Sequence, residues 1–337
     1  MSASVREPVP LAVALSGEQL VALLASQDLR QALSSAGLAF AVAAYDRIAG
    51  DASLGPTLEP SLAVTSLAEQ EPATTWLIAA SCQIDHPYNL ARRVASADHL
   101  TGGRIGLLLG SSDRAAPPVR RLPRRTVDTQ AASPSPSAAD VTLDAARAIR
   151  ALWRSWPDES IVADRATGIY ARAERIHRVA HRGIFDIDGP LTVPTTPQGT
   201  PPLGWCPQRA DEVDRLAAVA EFIVLPARLL AIWPQGTGLA GAGDSIWVEV
   251  STAEEVEGTV RAALSRALVG GVLLVPAPDA SSLVRTLSCV VPGLVSAGLA
   301  VPAQGRTLRE RLSLPVPGPV PANGPPAFPA PEPLRTA

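Results

Sequence analysis

The chain has 337 residues, of which 47% are hydrophobic and 18% charged, with a formal net charge of −3. That balance suits a folded protein with a large core and excludes a disordered chain. It also leaves no electrostatic footprint for nucleic acid or an anionic membrane. No lysine occurs and every basic residue is arginine, which together with the abundant Ala and Pro reads as a coding bias. Cys82, Cys206 and Cys289 are odd in number and far apart. They form neither a disulfide framework nor a zinc-type CxxC pair, so no metal site is expected and a reducing cytoplasm is. Residues 1–10 lack the layout of a signal peptide. No unbroken apolar run approaches the roughly 20 residues of a helical span, so no membrane association is expected.

Residues 9–15 read as a buried strand, followed by one helix over about 18–33 with Leu20, Leu23, Leu24 and Leu33 near helical spacing. A second apolar run covers 38–44 and closes at Tyr45-Asp46. After a Gly/Pro/Ser-rich loop, the pattern gives a helix over 61–69, a continuously apolar strand over 76–82, a helix over 86–100 stopped by Gly102-Gly103, and a strand over 105–109. Strands alternating with helices at these intervals signal βαβ units and a parallel sheet.

From Ser112 to Ala139 the pattern collapses into prolines, serines and an arginine cluster, read as a mobile loop inserted between units. A helix is expected over 140–156, then a turn-rich stretch to about 200. Strands are expected near 202–206, 222–225, 246–250 and 271–275, with helices over 209–221, 254–268 and 281–297. The organisation is one domain over 1–314 and a Pro-rich tail over 315–337, expected to be extended or disordered.

Three blocks carry a resemblance. The first is His86-Pro87-Tyr88-Asn89-Leu90-Ala91-Arg92 with Asp98-His99-Leu100-Thr101-Gly102-Gly103-Arg104. The second runs from Leu152-Trp153-Arg154-Ser155-Trp156 through His177, His181 and Phe185 to Gly189-Pro190-Leu191 and Pro197-Gln198-Gly199. The third is Thr307-Leu308-Arg309-Glu310-Arg311-Leu312. In this order they resemble the bacterial-luciferase-like, flavin-dependent monooxygenases, in a branch holding the nitrilotriacetate, EDTA, pristinamycin-synthesis and dibenzothiophene-sulfone monooxygenases. The resemblance implies a TIM (β/α)8 barrel whose site opens at the C-terminal strand ends, here with compressed fifth to seventh units. It implies an enzyme that oxidises a small organic substrate with oxygen, using reduced FMN supplied by a separate flavin reductase, and a homodimer as the default assembly. The alternative is a non-catalytic paralogue that has lost flavin binding and serves as a ligand-binding or partner subunit.

For site residues the resemblance points to Ser81 at the end of the third strand, to His86 and Tyr88 opening the next helix, and to Asp46 after the second strand. Each is read either as a flavin contact or as a structural residue of its loop. Asp98, His99 and Arg104 are read as holding a helix-to-strand turn. His177 and His181 stand four apart, a metal-ligand spacing on a helix, but without a third ligand nearby. Departures from the family pattern are equally visible. The run Gly106 to Ser112 has an apolar residue where relatives carry Asn, leaving Ser111 and Ser112 as the polar candidates. The phosphate loop reads Gly204-Trp205-Cys206-Pro207-Gln208-Arg209-Ala210-Asp211: Pro207 removes an N–H donor, Asp211 and Glu212 bring negative charge, and Arg209 is the residue that could compensate.

Overall fold

The computed structural model describes residues 7–50, 54–116, 136–216, 219–230, 246–253, 255–266, 269–318 and 325–328. In chain order the first half is β1 (Val9–Ala14), α1 (Gly17–Ala25), α2 (Gln27–Ser35), β2 (Ala41–Ala43), α3 (Pro60–Gln70), β3 (Trp76–Ala80), α4 (Pro87–Thr101), β4 (Ile105–Gly110) and α5 (Ala138–Trp153). Then come four short strands, β5 (Ile161–Asp164), β6 (Ile169–Ala171), β7 (His181–Arg182) and β8 (Asp186–Ile187). The second half is β9 (Leu203–Cys206), α6 (Ala210–Leu216), β10 (Phe222–Leu225), α7 (Ala227–Leu230), β11 (Ile246–Ser251), α8 (Val256–Arg266), β12 (Gly271–Val275), α9 (Ala280–Arg285), α10 (Val291–Ser296), β13 (Ala300–Val301) and α11 (Leu308–Arg311).

Strands β1, β2, β3, β4, β9, β10, β11 and β12 pair in parallel in that order, and β12 pairs back onto β1 with Leu11 opposite Val272. The expected (β/α)8 barrel is therefore present and closed. Closure removes every sheet edge, and helices cover the outside, which is why these strands read as unbroken apolar runs. Among the described residues, the units after β9 and β10 carry short helices, α6 with 7 residues and α7 with 4.

Glycine opposite aromatic residues fills the barrel interior. Phe222 sits in register with Gly204, and Trp247 with Gly271. A Cβ on Gly204 would lie 2.2 Å from the Phe222 ring, and one on Gly271 2.4 Å from the Trp247 ring. Phe40 stacks edge-on against Trp247 with centroids 4.5 Å apart, completing an aromatic floor.

The three motif blocks meet below that floor, at the N-terminal strand ends. Asp98 Oδ1 accepts from Ile105 N–H (3.0 Å) and from the Gln198 side-chain amide (2.7 Å). Gln198 Oε1 accepts from Arg309 N–H at 2.8 Å, and Gly103 O from Leu308 N–H at 2.9 Å. Leu308 then plugs the barrel, lying so close to Gly106 that a Cβ there would be 2.6 Å from Leu308 Cδ2. Arg309, only 2% exposed, pairs with Glu221 at 2.6 Å and donates to the Thr200 and Pro315 carbonyls. Much of what carries the resemblance is thus the stopper of the barrel, at the end opposite to the face where such barrels hold their sites.

Some local expectations are corrected. The helix over 18–33 is two helices, because Ser26 adopts extended backbone and its hydroxyl caps α2 by accepting from Leu29 N–H. The turn-rich stretch before residue 200 holds two small antiparallel pairs, β5–β6 and β7–β8. They were illegible because their exposed residues show no apolar alternation. The helix over 281–297 widens into a π-helical turn at Thr286–Val290 ahead of Pro292, whose ring and missing N–H disrupt the normal ladder. In the tail, Pro326 forms a bridge with His177, and Ala327 N–H donates to Ile176 O. Most of the insertion expected over 112–139 lies outside the described residues.

Candidate functional site

The C-terminal strand ends bring together side chains from β2, β3, β4, β9, β10 and β11. Beside β3, Ser81 is 1% exposed and its hydroxyl accepts from Gln83 N–H at 3.3 Å. The Gln83 side-chain oxygen accepts from Asp113 N–H, which ties this end to the loop after β4. His86 is the N-cap of α4: its Nδ1 accepts from Tyr88 N–H at 3.2 Å. An accepting Nδ1 leaves Nε2 as the protonated, donor nitrogen of a neutral ring. Burial holds the His86 pKa below its ordinary value, in keeping with that neutral form. The His86 ring meets Phe185 edge-on, with centroids 5.6 Å apart, and the Tyr88 hydroxyl donates to Pro190 O at 3.3 Å. Phe185 and Pro190 come from the second motif block, so two blocks also meet here.

A second group lies over the barrel axis. Ala44 takes a left-handed conformation (φ 56°), which costs a non-glycine residue on the order of 1 kcal/mol and turns the chain so that Tyr45 points into the barrel. The Tyr45 hydroxyl donates to Glu249 Oε2 at 2.9 Å and lies 3.5 Å from Cys206 Sγ. Burial, with Cys206 and Glu249 beside it, pushes the Tyr45 pKa well above its usual value. Burial pushes Cys206 up to about 12, so it is a neutral thiol. Gln208 donates to Ile48 O at 2.8 Å and accepts from Arg228 at 2.8 Å. Ile48 packs against Gly110, where a Cβ would fall 2.5 Å away.

Asp46 lies at the rim. Its Oδ2 accepts from Gly17 N–H at 3.2 Å, its Oδ1 is buried with no hydrogen-bond partner, and burial raises its pKa. Arg47 next to it pairs with Asp113 at 2.5 Å.

The third group decides how the phosphate loop works. Ser111, 3% exposed, donates to Glu212 Oε2 at 2.9 Å, and the same oxygen accepts from Gln208 N–H at 2.9 Å. Glu212 is 4% exposed. Arg209 does not turn inward: its side chain is 74% exposed and paired with Asp211 at 2.8 Å. The expected anion donors are therefore held internally, and the phosphate end of an FMN does not fit these residues as placed.

Ser81 lies at the end of β3 and His86 and Tyr88 at the start of the helix that follows, Ser111 lies with Glu212, Asp46 at the rim and Arg209 on the surface. Sequence reasoning missed Tyr45, Glu249, Gln208 and Arg228, and missed Glu212 as a bonded partner. A signal existed for Glu249: a carboxylate inside the apolar strand Ile246–Ser251 is costly to bury without a partner. His177 and His181 do not share a helix face; His181 Nε2 bonds Asp144 at 3.1 Å.

Closed barrel, floor of aromatic residues and polar mouth define a TIM-type barrel with its candidate site at the C-terminal strand ends. No family model matches the chain. By sequence it is 34% identical over 140 residues to one subunit of the pristinamycin IIA synthase of Streptomyces pristinaespiralis, covering 41% of this chain and 40% of that protein. It is 31% identical over 116 residues to dibenzothiophene-sulfone monooxygenase of Rhodococcus erythropolis, covering 34% and 24%. The matched stretches thus span two fifths or less of these relatives' length. By structure, a long-chain alkane monooxygenase superposes with a TM-score of 0.69 at 16% identity, over 92% of this chain and 96% of the other. The chain has the luciferase-like barrel, and its relatives are luciferase-like monooxygenases of the branch that the three blocks resemble.

Proposed function

We propose that this chain is a flavin-dependent monooxygenase that oxidises a small organic substrate with oxygen, taking its reduced flavin from a separate reductase. The observation that carries the reading is the placement of Ser81 after β3 and of His86 and Tyr88 at the start of α4, on the face where such barrels hold their sites. The pristinamycin relative is itself named as one subunit of its synthase, which supports a partnered enzyme. The flavin supplies the oxygen chemistry; the chain positions, desolvates and shapes. In this reading His86 donates from Nε2 toward the flavin ring and buried Ser81 offers a hydroxyl beside it. Tyr45 and Glu249 form the polar floor on which a substrate sits, and the assembly is a homodimer.

One observation favours a second reading, a paralogue that has lost flavin binding: Glu212 takes the Ser111 and Gln208 donors for itself. Anaerobic titration with reduced flavins separates the two. Saturable micromolar binding, weakened by Ser81→Ala, supports the enzyme. No binding of any flavin at high micromolar concentration would leave the non-catalytic reading standing.

A further inference from the structure

We propose that the loop after β9 selects against a phosphate, so that the flavin bound here is the dephosphorylated form, riboflavin; this rests on the flavin-dependent reading above. A 5′-phosphate needs N–H and hydroxyl donors together with a cation whose charge is not already answered. At this loop the Gln208 N–H and the Ser111 hydroxyl both serve Glu212 Oε2, each at 2.9 Å. Pro207 has no N–H to give. Arg209 is answered by Asp211, and Arg228 donates to the Gln208 carbonyl and side-chain oxygens. Among the described residues, Asp211 and Glu212 at the start of α6 stand against Arg209 of the loop and Arg228, which reaches it from α7, so the two carboxylates match the two cations.

Glu212 thus acts as a built-in carboxylate in the place of the phosphate. Bringing a phosphate dianion against it sets like charges within a few ångströms, which weakens binding about tenfold or more. A ribityl hydroxyl faces no such opposition. The Ser111 and Gln208 donors both go to Oε2 of the Glu212 carboxylate, so Oε1 can accept from the 5′-hydroxyl of riboflavin, whereas the dianion that predominates for a phosphate monoester at neutral pH has no O–H to donate.

The test is calorimetric titration of the full chain under anaerobic conditions with reduced riboflavin and with reduced FMN, in wild type and Glu212→Gln. We expect wild type to bind riboflavin at least about tenfold more tightly than FMN, and Glu212→Gln to narrow that ratio to about threefold or less. Equal or tighter binding of FMN by wild type overturns the proposal while leaving the flavin reading intact. So does a ratio that Glu212→Gln leaves unchanged. Binding of neither flavin by wild type overturns the flavin reading and this proposal together. The wild-type ratio needs no variant, so the test holds even where Glu212→Gln does not fold.

Discussion

Asp98 offers the sharpest test of how the stopper of the barrel is held. It is 0% exposed, and burial pushes its pKa up to about 6 despite the nearby Thr196 hydroxyl and hydrogen bonds from the Ile105 N–H and the Gln198 amide. Its second oxygen, Oδ2, is buried without a well-formed hydrogen bond, so the loss of solvation is not offset there. An aspartate in the unfolded chain titrates near 3.9. Between about pH 4 and pH 6 the folded protein therefore holds a proton that the unfolded chain has released. The contribution of Asp98 to stability then falls as pH rises through this window and is flat on either side. The difference of about 2 pKa units corresponds to about 3 kcal/mol. Asp98→Asn keeps an acceptor for Ile105 and Gln198 but has no charge to bury. Urea unfolding of both proteins from pH 4 to pH 7.5 should show the variant matching wild type near pH 4. By pH 7 it should exceed wild type by up to about 3 kcal/mol. Parallel curves across the window would refute the argument, showing that the Asp98 carboxylate is solvated or paired in a way the structure lacks.

Other perturbations test neighbouring parts of the structure. Gly106→Ala drives a methyl group to 2.6 Å from Leu308 Cδ2 and 2.8 Å from Pro202 O. It should cost about 1–3 kcal/mol in chemical denaturation, and a neutral result would mean that Leu308 does not plug the barrel. Arg309→Met leaves Glu221 with the Leu203 N–H but without its ion-pair partner and should cost about 3 kcal/mol, partly recovered by adding Glu221→Gln; a loss under about 1 kcal/mol would place the pair in solvent. His86→Asn keeps an N-cap acceptor, so thermal stability should hold while flavin affinity drops about fivefold. His86→Ala should lose about 1 kcal/mol of helix stability as well. Unchanged flavin affinity in both variants would remove His86 from the site.

The mouth of the barrel shows why site and fold differ in legibility. Ser81, His86 and Tyr88 were readable because a helix start closely follows a strand end, so local sequence already places them together. Ser111 was readable as a candidate, but its partner Glu212 stands 101 positions away. Tyr45 and Glu249 stand 204 apart, and nothing in either local sequence announces the other. Arg209 was misjudged for a related reason: a surface arginine two residues before an aspartate can pair locally and never reach the site.

The sequence by itself determined alternating strands and helices and hence a parallel sheet covered by helices, because continuous apolar strands must be buried on both faces. That the sheet closes into a barrel was what the family resemblance implied. The sequence also determined the blocks that close the bottom of that barrel, because Asp98, Gln198 and Arg309 belong to recognisable motifs. Only the tertiary structure decided that Glu212 takes the Ser111 and Gln208 donors. It alone decided that Ala44 turns Tyr45 onto Glu249. Those outcomes depend on which buried polar atoms end within 3 Å of each other, and a buried donor takes whichever acceptor the closed barrel brings to it.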